Sequence, residues 1–374
     1  MKGGKFLEKK VFISLISILS LLLFFILIIH ARFDFNLHKT SYTSEVKDMI
    51  DQRMKSLLFQ MNVFPKYIGD ELLFLSRMSS MKEVANSPNH KGLENLKIDF
   101  LEFMGESQSY YQLRYIDESG NEVLKVENVG EISKVITEEE IQNKRDMDYF
   151  NGTASLSEGE IYLSELDLNI KQGKIENRGT KENPIYVPTL RVATPIYKKN
   201  KSLAGVLVLS IYADYFLNDV RGAQREGEKV FLINKDGFYL SNPKRDKEFA
   251  FMFNKSDNFF DDYPELSKEN LLNDKKRLTE TDKNIFSFLR VHPSLGDVGL
   301  IDAPKEPIRN MLEYYWILIA VSDKDILNKT INNLKSDCFG FLLYAGILIA
   351  LIIALTIISA FGFYFYSDGR ATCA

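Results

Sequence analysis

The sequence is short of the residues that most often carry chemistry or covalent staples. Only two of its 374 residues are cysteine, Cys338 and Cys373. They stand on either side of an apolar run, so the stretch between the first apolar run and Cys338 has no internal disulfide and must rest on its packed core. The four histidines, His30, His38, His90 and His292, have no metal-ligand spacing between them. His292 has Asp297 nearby but no activated Ser or Cys in view. HExxH, GxSxG and a Gly-rich loop leading into Lys-Ser/Thr are all missing. The chain is therefore expected not to be an enzyme and to need no metal or cofactor. Charge of one sign is scarce too: 47 basic residues against 51 acidic ones leave a net charge of −4. Without a basic patch, nucleic acid is not an expected partner.

Long uncharged runs are present. Val11 to Ile29 and Phe339 to Phe365 hold no charged residue, and each is long enough to cross a hydrocarbon layer of about 30 Å. His30-Ala31-Arg32-Phe33 makes a poor cleavage site, so the first run reads as an uncleaved anchor rather than a signal peptide. Lys2, Lys5, Lys9 and Lys10 precede it and place the N-terminus in the cytoplasm. Two crossings return the C-terminus to the same side and leave residues 30–337 outside. That length suits two modules of about 100–150 residues each rather than one.

An internal repeat supports two modules. Leu190 to Val220 reads as strand, polar turn, strand, then an acidic step at Asp214 into a helix. Leu289-Arg290-Val291 echoes Leu190-Arg191-Val192, and Trp316 to Leu327 echoes Val206 to Leu217. Tyr115 to Val123 matches Leu232 to Leu240, with Gly120 and Gly237 in register. Upstream, Ile50, Met54, Leu57, Met61, Phe64, Ile68, Leu72, Leu75 and Met78 recur at helical spacing, and Pro65 is expected to kink or break that helix. The stripe packs on its own module, or also forms a dimer seam. Ser80-Met81-Lys82-Glu83 and Thr137-Glu138-Glu139-Glu140 have the form of capping boxes, the latter opening a helix to about Arg145. Ile161 to Glu165 reads as a strand, residues 171–184 as a polar loop, and residues 248–273 as short helices and loops. Ser322-Asp323-Lys324-Asp325 caps a final helix that runs straight into the second apolar segment.

LRYIDESGNEV, Asp148-Tyr149-Phe150, EIYLSELDLNIKQGKIE at Glu160–Glu176, LRVATPIY with AGVLVLSI, VFLINKDGFYLSNP and EFAFMF at Glu248–Phe253 together resemble the double Cache family. These are the extracytoplasmic sensor regions of chemoreceptors, histidine kinases and diguanylate cyclases. The resemblance covers roughly residues 42–333 and implies an α+β fold, with two PAS-like modules of antiparallel sheet stacked along a long N-terminal helix. The expected order is a cytoplasmic N-terminus (1–10), a transmembrane helix (11–30), a long helix and helical bundle (31–105), a membrane-distal module (106–221), a membrane-proximal module (222–333), a second transmembrane helix (338–366) and a short cytoplasmic tail (367–374). The implied role is small-molecule sensing by a two-pass membrane receptor, of the chemotaxis or two-component type. The implied assembly is a homodimer with a cytoplasmic or membrane partner, since the nine residues after Phe365 hold no output domain. The alternative is a tethered binding or adhesion protein that transmits nothing.

In this family the distal module usually holds the ligand. Its amino-acid-sensing branch places an Arg two residues before a Trp-Tyr pair and an Asp on the last strand. Here Tyr149-Phe150 is the aromatic pair, Met147 stands for the Arg and Ser210 for the Asp, so an amino acid is not the expected ligand. Alternation puts Leu113, Tyr115, Leu190 and Val192 against the long helix and Gln112, Arg114, Arg191 and Ser210 toward a pocket. Tyr149, Phe150 and Tyr162 line it, and Glu165 stands at the rim. Two arginines can hold a carboxylate or phosphate through paired N–H donors, which makes an anionic ligand possible. The competing reading pairs each Arg with Asp117, Asp148 or Glu165 and gives the aromatics to the core.

Overall fold

The computed structural model describes residues 2–268, 277–292 and 315–369. It divides into two units, residues 50–322 and residues 1–49 with 323–374.

In the larger unit, helix α1 (Lys2–Ser76) buries Ile50, Met54, Leu57, Met61, Ile68, Leu72 and Leu75. These are the positions that the helical spacing picks out, and they pack within their own unit. Pro65 neither breaks nor ends the helix. Proline removes one bond of the ladder, and the burial of Met61 and Ile68 on either side outweighs that single loss. Helix α2 (Ser79–Asn86) starts where the first capping box predicts, but Ser80 does not cap it. Its hydroxyl donates instead to the Asp99 carboxylate on α3 (His90–Gly105). Helix α3 is capped by Asn89, whose side chain accepts from the Gly92 N–H at 2.7 Å.

The first sheet follows. Its strands are β1 (Tyr110–Asp117), β2 (Glu122–Val129), β3 (Ile132–Val135), β4 (Tyr162–Leu163), β5 (Asp167–Leu168), β8 (Pro188–Tyr197) and β9 (Leu203–Tyr212), in the order β3-β2-β1-β9-β8-β4 with β5 also on β8. A small hairpin, β6 (Ile170–Lys171) and β7 (Lys174–Ile175), lies in the stretch expected to be only loop. β9 is buried along most of its length, as the almost unbroken apolar run from Gly205 to Ile211 predicts, and β8, whose pattern alternates, is buried to the same extent. Helix α4 (Asp148–Ala154) precedes β4, and α5 (Asp214–Gly222) follows β9 with Asp214 in its first turn.

The second sheet runs β11-β10-β14-β13-β12, from β10 (Glu228–Asn234), β11 (Tyr239–Ser241), β12 (Leu278–Glu280), β13 (Asn284–Val291) and β14 (Trp316–Asp323). One face carries an aromatic core of Phe231, Tyr239, Phe259, Phe286 and Phe288 with Ile317 and Ile319. Short 3-10 turns at Arg245–Lys247 and Ala250–Phe253 and helix α6 (Phe259–Asp262) fill the stretch expected to be loops and short helices. Its residues 269–273 lie outside the described residues.

The repeat is visible bond for bond. Gly120 and Gly237 have φ of +89° and +90°, where a Cβ is strained. Each N–H donates to the carbonyl three residues back, Asp117 or Asn234, at 3.0 Å. The side chains of those two residues close the same turn. Asp117 Oδ1 accepts from the N–H of Ser119 and Asn121, and Asn234 Oδ1 from those of Asp236 and Phe238. The order β2-β1-β9-β8 in one sheet matches β11-β10-β14-β13 in the other.

Two expectations fail locally. The helix from Thr137 is only a 3-10 turn, Glu138–Glu140. Beyond it the backbone is drawn onto the β1–β2 turn: Gln142 N–H donates to the Glu122 carboxylate at 2.9 Å and Lys144 N–H to the Gly120 carbonyl at 2.6 Å. The strand over Ile161–Glu165 shrinks to Tyr162–Leu163, because the Ser164 hydroxyl turns to the Glu165 carbonyl.

In the other unit, α1 continues from residue 2 to 49, and α7 (Lys324–Gly369) begins directly after β14. Asp323, rather than Ser322, caps α7 by accepting from the Asp325 N–H at 2.8 Å. Both helices contain a stretch long and apolar enough to cross a membrane, within residues 14–76 and at Gly340–Ser359. Their apolar side chains, such as Leu19, Leu22, Ile26, Leu348, Leu351 and Leu355, are exposed. A lipid environment accepts such surfaces.

Candidate functional site

One face of the first sheet collects charge that ordinary cores exclude. Register fixes which residues share it. One rung across four strands runs Arg191–Ser210–Gln112–Glu127, and the next runs Ala193–Val208–Arg114–Lys125. Arg114, Gln112, Arg191 and Ser210 therefore lie together, as alternation predicts, and Leu113 and Val192 fall on the opposite face. Tyr110 belongs to that opposite face and donates to Glu71 of α1.

All four predicted polar residues are buried, with Arg114 4% and Arg191 6% exposed. Arg114 Nη1 donates to Ser210 Oγ at 3.3 Å, and its Nε lies 3.1 Å from Glu122 Oε1. Arg191 Nη1 donates to Asp167 Oδ1 at 2.7 Å and Nη2 to Asn169 Oδ1 at 3.3 Å. Both arginines thus have acidic partners, but these are Glu122 and Asp167 instead of Asp117, Asp148 or Glu165. Gln112 Nε2 donates to Glu127 Oε2 at 3.0 Å. Gln112 Oε1 is buried without a hydrogen-bond partner, and Arg114 Nε and Glu122 Oε1 face each other as an ion pair without the alignment of a hydrogen bond. An unmet buried acceptor such as Gln112 Oε1 costs free energy unless something else uses it.

The aromatics close the lower half. Tyr149 and Phe150 on α4 pack with Ile116, Ala193, Val206 and Val208, and Tyr162 leans on the same cluster. Gly152 permits this approach, since a Cβ there would stand 2.3 Å from the Tyr162 ring. The Arg191 guanidinium lies 5.6 Å from the Tyr149 ring centroid, and burial pushes the Tyr149 phenol above its ordinary pKa. Glu165 is the exception among the predicted residues: it is exposed on the turn after β4 and outside the buried group.

Several participants were not foreseen. A bulge between Tyr110 and Gln112 turns Tyr111 onto the polar face as well. Its hydroxyl donates to Glu176, and Asn169 Nδ2 donates to that hydroxyl at 3.3 Å. Tyr111 and Tyr212 stack on each other with ring centroids 4.7 Å apart, and the Arg178 guanidinium lies 4.8 and 5.2 Å from the two centroids. Lys125 and Glu127 could have been found by pairing β1 with β2 about the Gly120 turn. Burial, and then repulsion from Arg114, lowers the Lys125 pKa. Lys144 gave no signal, because the segment that carries it reads as helix. It is 8% exposed, and its Nζ donates to the Gln142 amide oxygen.

The two sheets are also joined. The Leu168 N–H on β5 meets Met252 Sδ at 3.0 Å, and Tyr186 packs on Phe253 with ring centroids 4.8 Å apart. Arg221 of α5 clasps Glu248 through two bonds of 2.9 and 2.7 Å. Phe216 of α5 stacks on Trp316 of β14 at 5.7 Å.

Comparisons with known proteins follow the same lines. No curated protein sequence matches the chain. Among solved structures, the extracellular domain of vpHK1S-Z8, named as a histidine kinase, superposes with a TM-score of 0.61 at 16% identity, covering 77% of this chain and 98% of that one. A domain of a sensory box/GGDEF family protein from Vibrio parahaemolyticus gives 0.59 at 17% identity, covering 74% and 96%. At these identities the likeness is one of fold, the double Cache fold. The family profile described as the sensor domain of bacterial histidine kinases matches residues 72–301, more than half of the sequence. The chain belongs to that sensor-domain family.

Proposed function

We propose that the chain senses a small molecule outside the cytoplasm and passes a conformational change toward the membrane. In this reading the first sheet is the membrane-distal module, and its polar face, with Tyr149, Phe150 and Tyr162, holds the ligand. The observation that carries it is the buried group of Arg114, Arg191, Gln112 and Ser210, with the side-chain oxygen of Gln112 unmet, beside an aromatic wall. Small-ligand sites are apolar concavities with a few converging polar groups. The apolar stretches of α1 and α7 would anchor the chain at both ends, with both termini cytoplasmic by the charge of Lys2, Lys5, Lys9 and Lys10.

Ligand binding can shift a two-state element only through its difference in affinity for the two states. The element available here is β5. Its Asp167 holds Arg191 and its Leu168 touches Met252, so a ligand competing for Arg191 would loosen that join. From the second sheet, β14 leads into α7 without an intervening residue. A homodimer fits the exposed outer face of α1, where Phe59, Tyr67 and Phe74 stand opposite the buried stripe.

Thermal-shift screening of the full chain in nanodiscs should find a stabilising metabolite, and Arg114→Ala with Arg191→Ala should abolish that shift. Undiminished binding by the folded double variant places the site elsewhere. A tethered adhesion protein would show no ligand-dependent change in the second sheet.

A further inference from the structure

The polar face of the first sheet is not balanced in charge. Arg114 faces Glu122, Lys125 lies 3.8 Å from Glu127, and Arg191 is bonded to Asp167. Each of these cations has a carboxylate. Lys144 is as buried as they are, yet among the described residues it makes no ion pair, and its partner is the neutral amide of Gln142. The groups that act on it electrostatically are Arg114, Lys125 and Arg191, which repel it, and Glu122, which attracts it. Arg178 is likewise paired with Glu176, beside Tyr111 on the same face, so five cations stand against four carboxylates, with Lys144 the cation in excess.

A buried ammonium without a counter-charge is costly. It is tolerated where a bound group supplies the missing charge. A ligand bearing an ammonium of its own would add to the repulsion, and every carboxylate on this face already faces a cation.

We infer that the ligand of this face is a small organic anion without an ammonium group, and that Lys144 completes its cradle with Arg114 and Arg191. The inference rests on the sensing role proposed above and names the ligand class for that site. The anionic group lies between the two guanidinium groups and the Lys144 ammonium, and Tyr149 covers its carbon skeleton. Carboxylates and phosphates share this chemistry, because both accept paired N–H donors.

The test uses the full chain in nanodiscs with named probes: lactate and succinate, inorganic phosphate, glycine and alanine, putrescine, and glucose. At least one carboxylate or phosphate should stabilise the wild type, and which of the two does so identifies the source. Lys144→Gln should weaken that probe by at least about tenfold, the loss expected when a hydrogen bond to a charged group goes. Lys144→Arg, which keeps the charge, should retain most of the binding. Equal anion affinity in Lys144→Gln overturns the assignment of Lys144, and if that variant does not fold, loss of binding in a folded Lys144→Arg overturns it as well. Stabilisation by glycine, alanine, putrescine or glucose alone, abolished by Arg114→Ala with Arg191→Ala, overturns the anion class but keeps the sensor. No stabilisation by any probe at millimolar concentration overturns the anion class, and a wider neutral and cationic screen then decides the sensing role separately.

Discussion

Replacing Lys144 by methionine should make the unliganded protein more stable at neutral and acidic pH, and no longer so in alkali. Burial, followed by repulsion from Arg114, brings the Lys144 ammonium down from 10.5 to about 8. At ~1.36 kcal/mol per pH unit, keeping it charged at pH 7 costs roughly 3 kcal/mol. The Gln142 bond returns about 1 kcal/mol, so Lys144→Met should gain about 2 kcal/mol. The sign of the pH dependence follows from proton counts. Between about pH 8 and 10.5 the unfolded chain holds a proton that the folded chain has released, so wild-type stability rises with pH across that window. Below about pH 8 the penalty is fully present, and above 10.5 it is gone. The variant has no such penalty, so its advantage should be full and constant below about pH 8 and vanish by about pH 10. Urea unfolding of both proteins, followed through the single tryptophan Trp316, measures the difference, and other titrating groups cancel in it. A variant less stable than wild type at pH 7, or a difference independent of pH, would refute the reasoning.

Three further outcomes follow from the join between the sheets and from the outer helix face. Glu248→Ala leaves the buried Arg221 without its two-bond partner, although Asp214 still accepts from Nη1 at 2.6 Å. It should cost about 3–5 kcal/mol in urea unfolding, and a loss below about 1 kcal/mol would place the pair in a solvated setting. Phe253→Ala, with Met252→Ala, should leave ligand affinity within about threefold of wild type, a change well under 1 kcal/mol, while removing the ligand-induced change in Trp316 fluorescence; an unchanged response rejects this join as the route. Single cysteines at positions 59, 67 and 74 should crosslink between copies and those at 54, 61 and 68 should not, and the reverse pattern would move the dimer seam to the buried stripe.

Much of the architecture was legible because it rests on local rules. The turn glycines Gly120 and Gly237 mark a duplicated hairpin whose side-chain bonds are the same in both copies. The alternation of β1, β8 and β9 placed Gln112, Arg114, Arg191 and Ser210 on one face without knowledge of the register. What escaped depends on events between segments. The bulge that turns Tyr111 inward leaves no mark in the pattern. Thr137 to Arg145 has good helix-cap chemistry, but the Glu122 carboxylate and the Gly120 carbonyl capture its backbone, and this is what delivers Lys144 to the site. The partners of the arginines were misjudged for a related reason. Asp167 and Glu122 become neighbours only through strand pairing, whereas Asp117 is consumed by its own turn.

The central claim is that a small molecule sits on the polar face of the first sheet. The position of a stabilising ligand in a crystal or cryo-EM map of the complex tests it most directly. The account predicts density within hydrogen-bonding reach of Arg114, Arg191 and Lys144 and against the Tyr149 ring. Density confined to the second sheet, with that polar face unchanged, would contradict it.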